Sequence, residues 1–333
     1  MEHPEQLMLA IIDSHTDPYW NLAAEEYLLD RFDQPVFRLW RNAPAVIVGR
    51  NQNALAEINR AYAESHGIAV VRRLSGGGAV FHDLGNVNYT FLDACGRNES
   101  SAEMFRRFTA PVISALANLG VDARLEGRND LTIDGCKFSG NAIYVRGGRM
   151  MHHGTMLFDT SLDMLGKVLS TDTSKFSGRA VASRRSRVTN ILPHLAEPMD
   201  AVGFMGFIWK KLAGQAERYE YSREDIEAIG QLADGKYRTE EWNFASSPAY
   251  SFSRTAKFPC GTISLTARIE KGSIEDLAIS GDYFFTRDTG EFCEAMRGCP
   301  AAKEKIAERA SQLPFGEYFN GITLGELCSL FII

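Results

Sequence analysis

Arg72-Arg73-Leu74-Ser75-Gly76-Gly77-Gly78-Ala79-Val80-Phe81-His82-Asp83 is the stretch on which the fold turns. Three consecutive glycines stand between two strand-like runs, Ile68–Leu74 before them and Ala79–His82 after. Glycine tolerates positive φ and carries no Cβ, so another group can approach the backbone closely. The N–H groups of such a turn can wrap an anion, and Arg73 adds fixed charge with forked donors. The plain alternative is a glycine-rich turn whose arginines pair surface carboxylates. This is not a Walker A loop, because no GxxxxGK[ST] pattern occurs. Nor is it a dinucleotide fingerprint, since no GxGxxG leads into a helix.

Outward from this stretch, the chain reads as alternating strands and helices. Leu7–Asp13 is a strand and Asn21–Phe32 has helical spacing. Pro35–Trp40 and Ala45–Val48 are strands around a turn at Asn42–Pro44. Ala54–His66 is a helix with Gly67 placed as its cap. A second helix ends at Gly120, and Asp134-Gly135 and Gly147-Gly148 are two-residue turns that make 131–158 a three-stranded meander. Ser161–Leu169, Ala201–Tyr219 and Arg223–Leu232 read as helices. Past Trp242–Pro248 the pattern changes to strands with a Lys271-Gly272 turn, then to a mostly helical tail, Glu291–Leu330. The expectation is a mixed α/β chain divided at about residue 248, with a large domain over 1–247 and a small α+β domain over 248–333.

Three further motifs carry chemistry. Gly127-Arg128-Asn129-Asp130 precedes Asp134-Gly135-Cys136-Lys137-Phe138-Ser139-Gly140-Asn141-Ala142, which places Lys137 just after a tight turn among small polar neighbours. There it can hold a carboxylate and a phosphate together as a point charge, although most lysines after a turn are simply solvated. In Met151-His152-His153-Gly154-Thr155 the adjacent histidines point to opposite faces of a strand, so they are poor co-ligands for one metal. Thr173 to Ala196 holds Lys175, Arg179, Arg184, Arg185 and Arg187 with no Asp or Glu, a basic serine-rich loop suited to phosphate or to a small nucleic-acid contact.

Composition narrows the class. At 333 residues, 45% hydrophobic and 23% charged, the chain supports a sizeable core. The net charge of −6 argues against a general nucleic-acid binder. Cys95, Cys136, Cys260, Cys293, Cys299 and Cys328 form no CxxC pair, as expected of free thiols in a reducing, cytoplasmic setting. The start of the chain carries Glu2 and Glu5 and does not read as a signal peptide. The notable apolar run Ala201–Trp209 is far short of the ~20 residues of a membrane span.

Taken in order, RRLSGGGAVFHDLGNVNYTF, GRNDL with KFSGNA, HHGTML and SRRSRVTN resemble lipoate–protein ligases over roughly residues 7–195. EWNFASSPAYS resembles the junction to that family's C-terminal accessory domain. The resemblance implies a fold like those of biotin ligases and class II aminoacyl-tRNA synthetases, with a mixed sheet flanked by helices. It implies that lipoate attacks the α-phosphate of Mg-ATP, and that the lysine of a lipoyl carrier domain then takes the acyl group. Such carriers are 2-oxoacid dehydrogenase E2 subunits or the glycine cleavage H protein; no membrane or nucleic acid is implied, and the family suggests a monomer.

On this resemblance Lys137 is the catalytic group. ATP would meet Arg73, Gly78, Ala79, Val80, Phe81, Lys137 and Arg187. Lipoate would meet Ser75, Gly76, Gly77, Gly78, Lys137, Ser139, Gly140 and His152. Asn86, Asn129 and Asp130 would complete the pocket, Asp130 with a Mg²⁺ ion. Asn141 departs from the Ser of some members. Cys136 raises the chemistry of thiol-dependent octanoyltransferases, relatives on this fold that need no ATP. A degenerate, non-enzymatic binder is the third reading, against which Arg73, the three glycines and Lys137 stand intact.

Overall fold

The structure is a computed structural model that describes residues 7–50, 52, 54–96, 99–169, 176–178, 187–245, 250–258, 261–281, 287–319 and 322–331. Its largest element is a mixed eight-stranded sheet. In spatial order it runs β12 (Glu217–Arg218), β1 (Leu9–Ile12), β2 (Val36–Trp40), β6 (Asn86–Ala94), β10 (Arg149–Leu157), β9 (Cys136–Arg146), β8 (Asp130–Ile133) and β7 (Ala123–Glu126). β1 lies parallel to β12 and β2; the remaining pairs are antiparallel. A second sheet of three strands, β4 (Ala69–Arg72), β3 (Ala45–Val48) and β5 (Val80–His82), carries the glycine stretch between its two outer strands. The third sheet is antiparallel: β11 (Phe176–Gly178), β13 (Tyr250–Phe258), β14 (Gly261–Glu270) and β15 (Ser273–Gly281). The chain is therefore a mixed α/β protein with a small C-terminal antiparallel sheet.

Turn chemistry sets much of this. At Asp134-Gly135, Gly147-Gly148 and Lys271-Gly272 both central residues have positive φ, between 49° and 78°. That geometry matches the right-handed twist of the strands on either side. The helix Pro18–Arg31 starts where Asp17 accepts the Tyr19 N–H and proline takes the first helical position. The helices Ser101–Ala117 and Ala201–Leu212 cover one face of the large sheet and bury Phe37, Tyr89, Phe91, Phe108, Phe138 and Phe204 with it.

Three expectations change. Ala54–His66 is two short helices, Ala54–Glu57 and Arg60–Ser65, because the Asn59 side chain accepts the Tyr62 N–H and starts a new helix there. The helix from Ala201 stops at Leu212; Gly214 turns through φ +54, and Glu217–Arg218 becomes the sheet edge beside β1. β6, absent from the sequence reading, lies inside the large sheet between β2 and β10. Its Asn86, Asn88 and Thr90 are buried polar residues that alternate strictly with the buried Val87, Tyr89 and Phe91, the period-two pattern of a strand.

Two buried features hold this frame. Arg38 on β2 donates to Asp13 from Nε (3.0 Å) and Nη2 (2.7 Å), with both side chains fully buried. On the helix-covered face, a Cβ on Gly154 would stand 2.6 Å from the Tyr89 ring and hydroxyl and would overlap Asn141 Oδ1. Gly154→Ala should therefore cost ~1–3 kcal/mol, the scale of overpacking a tight site, read as a lower urea midpoint with unchanged slope. Burial alone would raise the Asp13 carboxyl, but the Arg38 charge and the hydrogen bonds from His15 and Arg38 outweigh it and hold it below its ordinary 3.8. A depressed carboxyl contributes stability above its unfolded pKa and loses it as pH falls through the folded one. Stability should fall on acidification below about pH 4, and Asp13→Asn should flatten that limb while lowering stability at pH 7.

Candidate active site

The glycine stretch is folded around one guanidinium. Arg73, 6% exposed, donates from Nε to Ser75 Oγ (3.0 Å) and from Nη1 to the Ile47 carbonyl (3.0 Å). Its Nη2 holds the Gly76 and Gly78 carbonyls at 2.7 and 2.8 Å. Burial lowers its pKa to about 10, opposed by the charge of Glu25. In a trans peptide the carbonyl and the next N–H point in opposite directions, and no peptide here is cis. The N–H groups of Gly77 and Ala79 therefore point away from Arg73, from residues that are themselves exposed or half-buried. Gly77 has φ +93, and its carbonyl comes so close to Gly49 that a Cβ on Gly49 would overlap it. Phe81, by contrast, is buried among Val46, Val48 and Ala54 and belongs to the support of the loop.

Beneath the loop lies a chain of buried hydrogen bonds. Ser75 Oγ is 2.6 Å from His153 Nε2, and His153 Nδ1 is 3.0 Å from Glu25 on the first helix. Thr90 donates to Glu25 (2.6 Å), and Trp40 Nε1 donates to Thr90 (2.9 Å). Arg73 Nε can only donate, so Ser75 Oγ accepts from it. Burial raises the Glu25 carboxyl, and His153 and Thr90 more than reverse it, leaving it below its ordinary value. Glu25 was not singled out from sequence, and His153 only as a member of the histidine pair.

The histidine assignment reverses. His152, expected at the acyl pocket, is fully buried on the opposite face, stacked on Phe108 at 5.4 Å and packed near Tyr89 and Phe105. Burial there lowers its pKa to about 3, and neither ring nitrogen has a hydrogen-bond partner. His153 is the member of the pair that faces the glycine loop. Asn86 is wholly buried, donating 2.8 Å to Asn88 Oδ1 with its own Oδ1 unpartnered. His82 lies nearby within 3.0 Å of Asn42; burial, with the charges of Arg73 and His153, lowers its pKa to about 3 and keeps it neutral.

Lys137 reaches the same face by a bulge. In the β8–β9 ladder Leu131 pairs with Ser139 and Thr132 with Lys137, so Phe138 is the extra residue. Simple alternation would set Lys137 with Ser139. Instead Ser139 turns to Asn141, whose Oδ1 accepts from Tyr89 in the core, and Lys137 lies over Gly140. The Gly140 N–H donates to Thr155 Oγ1 (3.1 Å), and Thr155 stands two residues beyond His153 on β10, on the same face. The glycine loop and Lys137 thus share one face of the sheet.

Lys137 Nζ is paired with Asp130 Oδ1 at 2.7 Å, and both side chains are partly exposed. Asn129 braces the turn by donating to the Asn141 carbonyl (2.5 Å). Arg187 is exposed, and its carbonyl accepts the Lys137 N–H (2.7 Å). Lys175, Arg179, Arg184 and Arg185 of the basic loop lie outside the described residues. Cys136 is a free thiol paired across the ladder with Ile133. Among the described residues no group of three or more His, Cys, Asp or Glu could hold a metal ion, and no helix is long and apolar enough to cross a membrane. An ammonium and the outward Gly77 N–H on one face suit an anionic substrate that gains charge as it reacts.

Known proteins carry the same organisation. The model of the lipoyl protein ligase A/B catalytic domain matches residues 17–213, and that of the bacterial lipoate protein ligase C-terminus matches 247–331. Lipoate–protein ligase 1 of Staphylococcus aureus is 39% identical over 319 residues, 95% of this chain and 97% of that protein. A crystal structure of lipoate–protein ligase A bound with ATP aligns with a TM-score of 0.60 at 28% identity, over 72% of this chain and 99% of the other. A bi-partite lipoate protein ligase from Thermoplasma acidophilum, described with its E2 lipoyl domain, gives 0.60 at 29% identity over 73% and 97%. Another structure from that archaeon, with bound lipoic acid, gives 0.60 at 28% over 72% and 100%. Matched along both its parts and nearly end to end by a single relative, this chain belongs to the lipoate–protein ligase family.

Proposed function

We propose that this protein activates free lipoate with ATP and transfers the lipoyl group to a lysine of a lipoyl carrier domain. The observation that carries the reading is the shared face: Lys137 and the outward N–H of the exposed Gly77 look onto one surface of the sheet. A lipoate carboxylate oxygen attacks the α-phosphorus, the bond to pyrophosphate breaks, and the mixed anhydride lipoyl-AMP forms. The neutral ε-amine of the acceptor lysine then attacks the carbonyl carbon and expels AMP. Two anions must meet in the first step, so fixed positive charge at the reacting oxygens is the main contribution a protein can make.

In this reading Lys137 exchanges its Asp130 partner for the carboxylate and α-phosphate oxygens. The loop Gly76–Ala79 binds phosphate through backbone N–H groups, while Arg73 acts by holding its shape. Val80 and Arg187 border the nucleotide; Ser75, Gly140, Asn86 and Asn129 shape the pocket around the acyl carboxyl. His153 replaces His152 and Ser139 in lining it. Asp130 would hold Mg²⁺, since one carboxylate with the nucleotide's phosphate oxygens meets that ion's usual needs. Residues 1–247 form the catalytic domain and 248–333 the accessory domain. The carriers are E2 lipoyl domains or H protein, and we place the enzyme in the cytoplasm as a monomer.

The test is the intact mass of an apo lipoyl domain after incubation with this protein and free lipoate, with and without Mg-ATP. One lipoyl group gained only with ATP is the expected result. Modification that needs octanoyl-carrier protein and no ATP would instead identify an acyltransferase. Lys137→Ala should fold with an unchanged melting temperature to within a few degrees while pyrophosphate release falls at least ~10²-fold; near-normal turnover would remove Lys137 from the chemistry.

A further inference from the structure

Arg72, one residue before the loop-clamping Arg73, is fully buried and faces away from the site. Its Nη1 donates to the carbonyls of Gly49 (2.9 Å), Arg50 (3.1 Å) and Gln52 (2.8 Å). Four further bonds of this hub reach Trp242 and Asn243, about half the chain away. Arg72 Nε donates to the Trp242 carbonyl (3.1 Å) and Nη2 to the Asn243 carbonyl (2.9 Å). The Arg72 backbone N–H donates to Asn243 Oδ1 (2.8 Å), and its carbonyl accepts from Trp242 Nε1 (2.7 Å). Asn243, 3% exposed, is itself fixed by donating Nδ2 to the Tyr237 carbonyl (2.8 Å).

The same two residues reach the loop a second way. The Arg50 guanidinium and the Lys236 ammonium lie over the Trp242 ring at 4.4 and 4.1 Å, and the Arg50 backbone N–H donates to the Ser75 carbonyl (2.8 Å). Trp242 and Asn243 fall in a single π-helical turn, Glu241–Ala245, a wide turn that recurs where a helix serves a site. The third sheet begins at Tyr250, shortly after it.

We propose that Trp242 and Asn243 are positioning residues of the glycine loop, acting through Arg72 so that the junction to the C-terminal sheet sets the geometry in which the loop meets nucleotide. The inference rests on the reading of that loop as the ATP site. Neither residue touches the proposed substrate surface. They fix the N–H and the carbonyl of Arg72, from which the loop continues, and Trp242 also lies against the Arg50 guanidinium. Misplacing a binding loop by a fraction of an ångström is costly in binding and rate even where the fold survives.

The experiment compares wild type, Asn243→Ala and Trp242→Phe, the last keeping the ring but removing the Nε1 donor. Two quantities are read: the ATP KM and kcat of lipoate-dependent pyrophosphate release, and amide hydrogen exchange of the peptide spanning 73–80 in the free proteins. Asn243→Ala should raise the ATP KM about tenfold with kcat changed less, and Trp242→Phe should raise it by a smaller factor. Loop exchange should quicken in both. A purely structural role would lower the melting temperature and the active fraction but leave the KM of the active molecules and the loop exchange unchanged, and that result overturns the proposal. Should Asn243→Ala fail to fold, Trp242→Phe decides on the same two readings. Absence of pyrophosphate release in the wild type would sink the ligase reading itself; exchange unmoved in an active wild-type background sinks only the positioning role.

Discussion

Two neighbouring guanidinium groups must be buried side by side, and the rest of the site follows from how that is managed. An unpaired buried charge costs several kcal/mol, which is offset only if its donors are fully engaged. Arg72 and Arg73 meet this with backbone carbonyls, Arg72 turned to Gly49, Arg50, Gln52, Trp242 and Asn243, Arg73 to Ile47, Gly76 and Gly78. Burial lowers both to about 10, and Arg72 also feels the repulsion of Arg50 and Arg73. Both stay charged at neutral pH, so the carbonyls stay drawn in. Because those carbonyls point inward, the following N–H groups point outward, and the glycines are what permits the bend. The donor surface is thus a by-product of satisfying a buried cation.

Legibility in the sequence followed the range of the interactions. The three two-residue turns were readable because the dipeptides themselves need positive φ. So was the glycine stretch, whose lack of Cβ has few other uses between two strands. β6 carries a local signal too, the strict alternation of Asn86, Asn88 and Thr90 with Val87, Tyr89 and Phe91, although the sequence reading does not use it. Alternation could say that His152 and His153 part ways but not which goes where, because that depends on the register against β6, Phe91 opposite one and Thr90 opposite the other. Nor could alternation place Lys137 against Ser139, since a one-residue bulge at Phe138 inverts the pattern after it. Arg72, Glu25 and Asn243 gave no local signal; their partners stand between tens and more than a hundred residues away.

Backbone pairing ties the outer parts of the chain to both halves of the site. Phe176–Gly178, inside the basic stretch, adds a strand to the C-terminal sheet at Tyr250–Phe252. A few residues on, Val188 forms a bridge beside Lys137, and the Thr189 N–H donates to the Lys137 carbonyl (2.9 Å). Phe176–Gly178 thus meets the third sheet and Val188–Thr189 meets the Lys137 strand, while Trp242 and Asn243, shortly before Tyr250, meet Arg72 beside the glycine loop. Anchoring at two points constrains relative geometry more than either contact does alone, because each removes freedom that the other leaves.

The Lys137–Asp130 pair sets how easily such a site accepts substrate. Left without an anion, an ammonium over Gly140 would still need a partner, and Asp130 supplies one at 2.7 Å. With a quarter of the lysine side chain and a third of the aspartate exposed, water screens the pair, whose net worth is of order 0–1 kcal/mol. A carboxylate and a phosphate together present more negative charge than one aspartate, with the loop N–H groups already aimed outward. Exchange of Asp130 for ligand anions therefore costs little, whereas moving Arg73 would release its hydrogen bonds from a buried charge. The two cations differ by burial: the partly exposed one can change partners at little cost, and the buried one cannot.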